Sequence, residues 1–130
     1  MEQVLQFLKD CGTFYLATLE GDQPRVRPFG AVCTFEDRLY IVTNNQKKVY
    51  AQLLANSKLE ISGMAGGKWI RLEAEGVPDE RREAKVAMLE ENPGLKRMYS
   101  ADDGIVAVFY LKNATATICS FTEAPETISF

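Results

Sequence analysis

A chain of 130 residues with 46% hydrophobic and 25% charged side chains has the size and composition of one ordinary globular domain; such a domain buries roughly two-thirds of its unfolded surface without disulfides or a structural metal. Its net charge of -3 argues against nucleic acid as a main partner, because phosphate backbones are held by basic surfaces. Histidine is absent, which removes the Ser-His-Asp triad, the Cys-His pair, the HExxH zinc site and the histidine general base, so catalysis would have to run through a bound cofactor.

No apolar run approaches the ~20 residues of a membrane-spanning helix, and the start MEQVLQFLKDCG lacks the basic opening and long apolar centre of a signal peptide. The expected location is the cytoplasm, with no membrane contact. Cys11, Cys33 and Cys119 are odd in number and widely spaced, lie in apolar surroundings and form no CxxC pair. They read as small core residues, and no metal site is expected.

Residues Glu2 to Cys11 place Val4, Phe7, Leu8 and Cys11 at helical spacing, and Gly12 ends the pattern. Thr13 to Leu19 alternates as a strand. The turn Glu20-Gly21-Asp22-Gln23 then leads into a second strand from Pro24 to Phe35, on which Arg25, Arg27, Phe29, Ala31, Cys33 and Phe35 share one face. After a turn at Glu36-Asp37, a third strand from Arg38 ends in the polar run Thr43-Asn44-Asn45-Gln46. Lys47 and Lys48 follow in the first turn of a helix that carries Val49, Tyr50, Leu53 and Leu54 and ends near Asn56.

Lysines are unfavourable at that place, because a helix N-terminus already carries partial positive charge. A phosphate would supply the missing anion, held by free backbone N–H groups, by Thr43 or Asn45, and by the ammonium of Lys48. Taken alone, Arg25 and Arg27 fit equally well as solvated side chains on an exposed strand. Together with the lysines they mark one barrel edge suited to a phosphate-ended ligand.

Leu59 to Gly63 reads as a fourth strand, and Lys68 to Val77 as a fifth with Ile70, Leu72 and Ala74 on its core side. Trp69, Arg71, Glu73 and Glu75 alternate on the other side, and the single tryptophan there exceeds what a solvent face requires. Gly63, Gly66 and Gly67 fit neither GxGxxG nor GxxxxGK[ST] and precede a strand, so they form a hairpin turn. Glu73 and Glu75 are too close for a glycosidase pair and lack a third metal ligand. A helix is expected from Asp79, as N-cap, to Asn92, with one more turn over Gly94 to Tyr99. Ile105 to Leu111 is apolar enough to be buried on both faces, Ala114 to Phe121 is the last strand, and the tail TEAPETISF is an extended edge or loose terminus. The five tyrosines read as packing residues. The sum is a mainly β domain over residues 1–130 with short helices, a six-stranded antiparallel barrel.

The helix MEQVLQFLKDC, the segments GTFYLATLEGDQPRVRPFG and LYIVTNNQKKVYAQLLANSKLEIS, and the strand WIRLEAEG together resemble the pyridoxamine 5'-phosphate oxidase-like flavoproteins with the FMN-binding split β-barrel, in particular the short bacterial general-stress-type members. The resemblance implies FMN, with Arg25, Val26, Arg27, Pro28 and Phe29 along its ring and ribityl groups. It also implies Thr43, Asn44, Gln46, Lys47 and Lys48 at its phosphate, and Trp69 and Arg71 on a strand that approaches the flavin in some members. A homodimer with the flavin sites at the interface and a small-molecule substrate follow from the same source; the catalytic residues do not. The resemblance does not extend to the long C-terminal segment with which the true oxidase grips pyridoxal phosphate, so vitamin B6 oxidation is not expected, and the histidine used by haem-handling and nitroimidazole-reducing relatives is missing. Deazaflavin-using relatives share the fold. Three roles stay open at this level: a flavin-dependent oxidoreductase, a non-catalytic flavin sensor or carrier, and a barrel that serves as an interaction module without cofactor.

Overall fold

In the computed structural model, which describes residues 1–130, three helices punctuate eight strands. The order is α1 (Glu2–Cys11), β1 (Phe14–Glu20), β2 (Gln23–Phe29), β3 (Val32–Phe35), β4 (Arg38–Asn44), α2 (Lys48–Ala55), β5 (Lys58–Ala65), β6 (Lys68–Asp79), α3 (Arg82–Glu91), a 3₁₀ turn (Pro93–Arg97), β7 (Val106–Cys119) and β8 (Glu126–Ser129). All pairings are antiparallel, in the lateral order β2-β1-β5-β6-β7-β4-β3, with β8 added on β7.

β2 and β3 sit at opposite ends of that path, yet only Gly30 and Ala31 separate them in the chain. The sheet must therefore curl until its two ends meet, closed by covalent connection rather than by a hydrogen-bonded ladder. Its interior is filled by Leu8, Phe14, Leu16, Ile41, Leu53, Ile61, Ile70, Leu72, Phe109 and their neighbours. α3 covers the outside of β3, β4 and β7 over a second cluster that includes Cys33, Tyr40, Ala84, Met88 and Val108. β7 is accordingly buried on both faces along Val106 to Phe109, as its apolar sequence predicts. α1 lies close on β5 because residue 63 is glycine: a Cβ there would come within 2.9 Å of Cys11 Sγ.

Four local expectations change. The strand read as continuous from Pro24 to Phe35 breaks at Gly30-Ala31, and the break reverses its faces: Phe29 and Val32 join the barrel interior, whereas Ala31, Cys33 and Phe35 face α3. The two last strands are one 14-residue strand with Asn113 at φ 51 and a register shift opposite Glu73 and Glu75, a bulge that absorbs the polar interruption Lys112-Asn113. Asp79 is not a helix cap but the buried end of β6, and α3 starts three residues later at Arg82. The strand count also changes, from six to eight, with the tail taking its extended-edge alternative as β8 on β7.

Candidate functional site

Pairing between β3 and β4 stops at Val32 and Ile41, and beyond that point β4 continues to Asn44 with β7 as its only ladder partner. β2 in turn pairs only with β1. Between these two free strand edges opens a cleft of about 450 Å³, a volume suited to a small ligand. Its walls are Arg27, Pro28, Phe29, Gly30 and Ala31 on one side and Val42 and Thr43 on the other, with Lys47 and Val49 at one end. Asn92, Gly94, Leu95, Met98 and Tyr99 form a roof. Strand edges that leave their ladder expose main-chain donors and acceptors, which a planar heterocycle with amide-like edges can pair.

One end of the cleft asks for an anion. α2 begins there with Lys47 as N-cap, no side-chain cap and no acidic residue in its first turn, so the helix dipole and its unpaired N–H groups are uncompensated. Arg27 and Lys47 are the only charged residues lining the cleft, and neither has a carboxylate within ion-pair distance. Burial pulls the Arg27 guanidinium below its ordinary pKa, and the neighbouring Arg25 adds to the effect. Thr43 is 4% exposed and its Oγ1 is buried without a hydrogen-bond partner. An orphaned hydroxyl of this kind costs about 1–3 kcal/mol unless a ligand completes it. A phosphate monoester on a polar tether meets all three conditions, so the residues present fit the phosphate end of FMN.

The roof is fastened at both ends. Asn92 Nδ2 donates to the carbonyl of Val32 over 2.9 Å, and Asn44 Nδ2 donates to the Tyr99 hydroxyl over 2.8 Å. Asn44 Oδ1 accepts the N–H of Gln46 over 3.0 Å, so Asn44 shapes the turn after β4 as well as holding Tyr99. The 3₁₀ turn is legible in the sequence as one more turn of helix after Asn92, but not as part of a site: its anchors Val32 and Asn44 lie 60 and 55 residues earlier, and Tyr99 reads only as packing.

The remaining anticipated residues divide by place. Arg25 leaves the cleft and pairs with Glu20 over 2.9 Å, holding that carboxyl below its ordinary range. Val26 points to the opposite, outer face of β2 and is exposed. Gln46 is exposed in the turn after β4, and Lys48, the first residue of α2, is close enough to act on the charge of Glu20 rather than lining the cleft. Trp69 and Arg71 lie on the outer face of β6, where Trp69 packs on Phe121 with ring centroids 5.0 Å apart and Arg71 faces Glu60 at 3.7 Å. In a single protomer these two do not line the cleft. The larger groove of about 530 Å³ near Glu60, Glu73 and Glu75 is acidic and repels a phosphate. All three cysteines are free; burial pushes the Cys33 thiol up to about 12, consistent with an inert core residue.

A sequence profile of the family described as pyridoxamine 5'-phosphate oxidase matches residues 1–116. Among solved structures, a NimC/NimA family protein from Clostridium acetobutylicum is 58% identical, with 100% of this chain and 93% of that one covered and a TM-score of 0.96. General stress protein 26 from Bacillus anthracis is 18% identical, covering 99% and 97%, with a TM-score of 0.79. A pyridoxamine 5'-phosphate oxidase-related, FMN-binding protein from Nostoc punctiforme is 12% identical, covering 99% and 93%, with a TM-score of 0.67. The last two likenesses show the split-barrel fold. No functionally curated protein matches the chain.

Proposed function

The chain belongs to the pyridoxamine 5'-phosphate oxidase family, and from that premise we propose that it is an FMN-binding flavoprotein acting as a small flavin-dependent oxidoreductase on an organic substrate. The observation that carries the reading is the partnerless buried hydroxyl of Thr43 in a cleft whose only charged lining groups are the cations Arg27 and Lys47. FMN, when bound, would supply hydride acceptance and donation.

The protein's part is to bind, orient and shield. Lys47, Arg27, Thr43 and the start of α2 would hold the phosphate. Free main-chain groups of the β2–β3 junction would meet the ring edge, and Phe29, whose ring centroid lies 6.2 Å from that of Phe14, is a fixed apolar wall. The roof residues Leu95 and Met98 give the opposite side an uncharged surface, which suits planar acceptors that stack. No carboxylate lines the cleft, so a hydrolytic reaction has no base there.

The same proposal includes a homodimer. Val26, Tyr15, Met64, Trp69 and Phe121 stand on the outer face of successive strands and the segment after β7, with Met64 and Phe121 66% and 88% exposed. Pro28 belongs to this face, opposite Tyr15, and also to the cleft. A second copy seated here would therefore close the cleft mouth and bring its own outer residues to the flavin. No helix is long and apolar enough to cross a membrane; the cytoplasm, where reduced nicotinamides are available, is the proposed location.

The test is an absorption spectrum of freshly purified protein with the released chromophore identified by mass, followed by anaerobic mixing with NADH or NADPH and then with quinones and nitroaromatics. FMN that bleaches and recovers supports the oxidoreductase. FMN reduced chemically but by neither nucleotide, and reoxidised by no acceptor, makes the protein a flavin sensor or carrier. A deazaflavin or a haem Soret band would replace FMN itself.

A further inference from the structure

Arg27 is held by a closed hydrogen-bond ring built from two residues that otherwise have no reason to be polar. Thr18, on the interior face of β1, and Gln52, on the core side of α2, are 3% and 6% exposed inside an apolar barrel. The Thr18 hydroxyl donates to Gln52 Oε1 over 2.6 Å and accepts from Arg27 Nη1 over 2.8 Å, while Arg27 Nη2 donates to the same Gln52 Oε1 over 2.6 Å. Nη1 also donates to the carbonyl of Leu16 over 3.1 Å. The acceptors of this ring are neutral, and the carboxylate that Gln52 also touches, Glu20, is engaged by Arg25 and by Gln52 Nε2. The guanidinium is thus fixed without being neutralised, and its Nε–H and one Nη2 hydrogen remain unengaged.

We infer that Gln52 and Thr18 are positioning residues that aim a charged Arg27 into the cleft, so that one face of α2 presets Arg27 while its N-terminus presents Lys47 to the same anion. A carboxylate at position 52 would grip the guanidinium as firmly but cancel the charge an incoming phosphate needs, which explains an amide there. The inference rests on the flavin reading above for the identity of that anion.

The test compares FMN with riboflavin on wild type, Gln52→Leu and Thr18→Val by flavin fluorescence titration, with the Arg Nη–H resonances of the protein followed by ¹⁵N-edited NMR. Leucine keeps helix propensity and valine suits a strand, so both variants are expected to fold. The expected result is a loss of roughly tenfold in the preference for FMN over riboflavin, with Arg27 Nη–H resonances that are resolved in wild type, because the ring stops the guanidinium rotating, and that broaden in both variants. An unchanged preference with an unchanged resonance, or equal weakening of both ligands, overturns the inference. Wild type that shows no preference for FMN overturns the phosphate reading instead, and the NMR arm still decides whether Gln52 and Thr18 hold Arg27.

Discussion

The Tyr40 hydroxyl donates to Asp79 Oδ2 over 2.7 Å, reaching across β7 to join the middle of β4 to the end of β6. Tyr40 is fully buried, and Asp79 also accepts from the Arg81 guanidinium and main-chain N–H, while Arg81 bridges onward to Glu36. The network clamps the chain as it leaves the sheet for α3.

Stability should fall at both pH extremes through this pair. The Arg81 guanidinium holds Asp79 at about 2, below its ordinary 3.8, so its contribution is complete above pH about 4 and is lost as pH falls toward 2. Burial, then Asp79, raises Tyr40 from 10.0 to about 12, so its contribution is complete below pH 10 and lost as pH rises toward 12. The acid loss amounts to about 2 kcal/mol. Chemical denaturation of wild type and Asp79→Asn between pH 2 and 7 checks it: the variant should be less stable at neutral pH and converge with wild type in acid.

Thr43→Val is expected to move apo stability and flavin binding in opposite directions. Removing a buried hydroxyl with no partner relieves a desolvation cost, so the free protein should gain about 1 kcal/mol. FMN affinity should fall, because the same hydroxyl is the one offered to the ligand. Thermal unfolding and titration on the same preparation give both signs; a destabilised apo variant would mean that Thr43 is satisfied within the chain.

Lys47→Ala and Lys48→Ala should each lower the preference for FMN over riboflavin, since a charge-assisted bond to phosphate is worth roughly 1.5–3 kcal/mol. The larger loss is expected at Lys47, which lines the cleft, whereas Lys48 stands nearer Glu20. Riboflavin affinity should barely change in either. Equal loss of both ligands would place the phosphate elsewhere.

Met64→Glu and Phe121→Ser should convert a dimer to monomers and weaken flavin binding together, because the outer face carrying Met64, Trp69 and Phe121 meets the cleft at Pro28, opposite Tyr15. Sedimentation velocity with bound flavin monitored by absorbance reads both. A wild-type monomer that binds FMN tightly removes the interface.

Much of this protein was legible in its residues. Period-2 alternation marked the strands, and Glu36-Asp37, which adopt φ 50 and 60, and Gly66-Gly67 marked the hairpins. The two lysines marked the start of α2, which has no side-chain cap and no acidic residue in its first turn. What periodicity cannot carry is which strand edges meet and where a ladder stops. Arg25 and Arg27 are equivalent in a strand pattern, but only Arg27 reaches Thr18 and Gln52, because Arg25 is taken by Glu20 beside the hairpin. Gly30-Ala31 reads as ordinary strand, yet there the chain leaves β1's neighbour for β4's and reverses its faces. The roof from Asn92 to Tyr99 is held by contacts to Val32 and Asn44, 60 and 55 residues away. Local sequence decides which face of an element is apolar; the cleft exists because closing the barrel through a covalent link leaves two strand edges unpaired, a property of the whole sheet and of no segment within it.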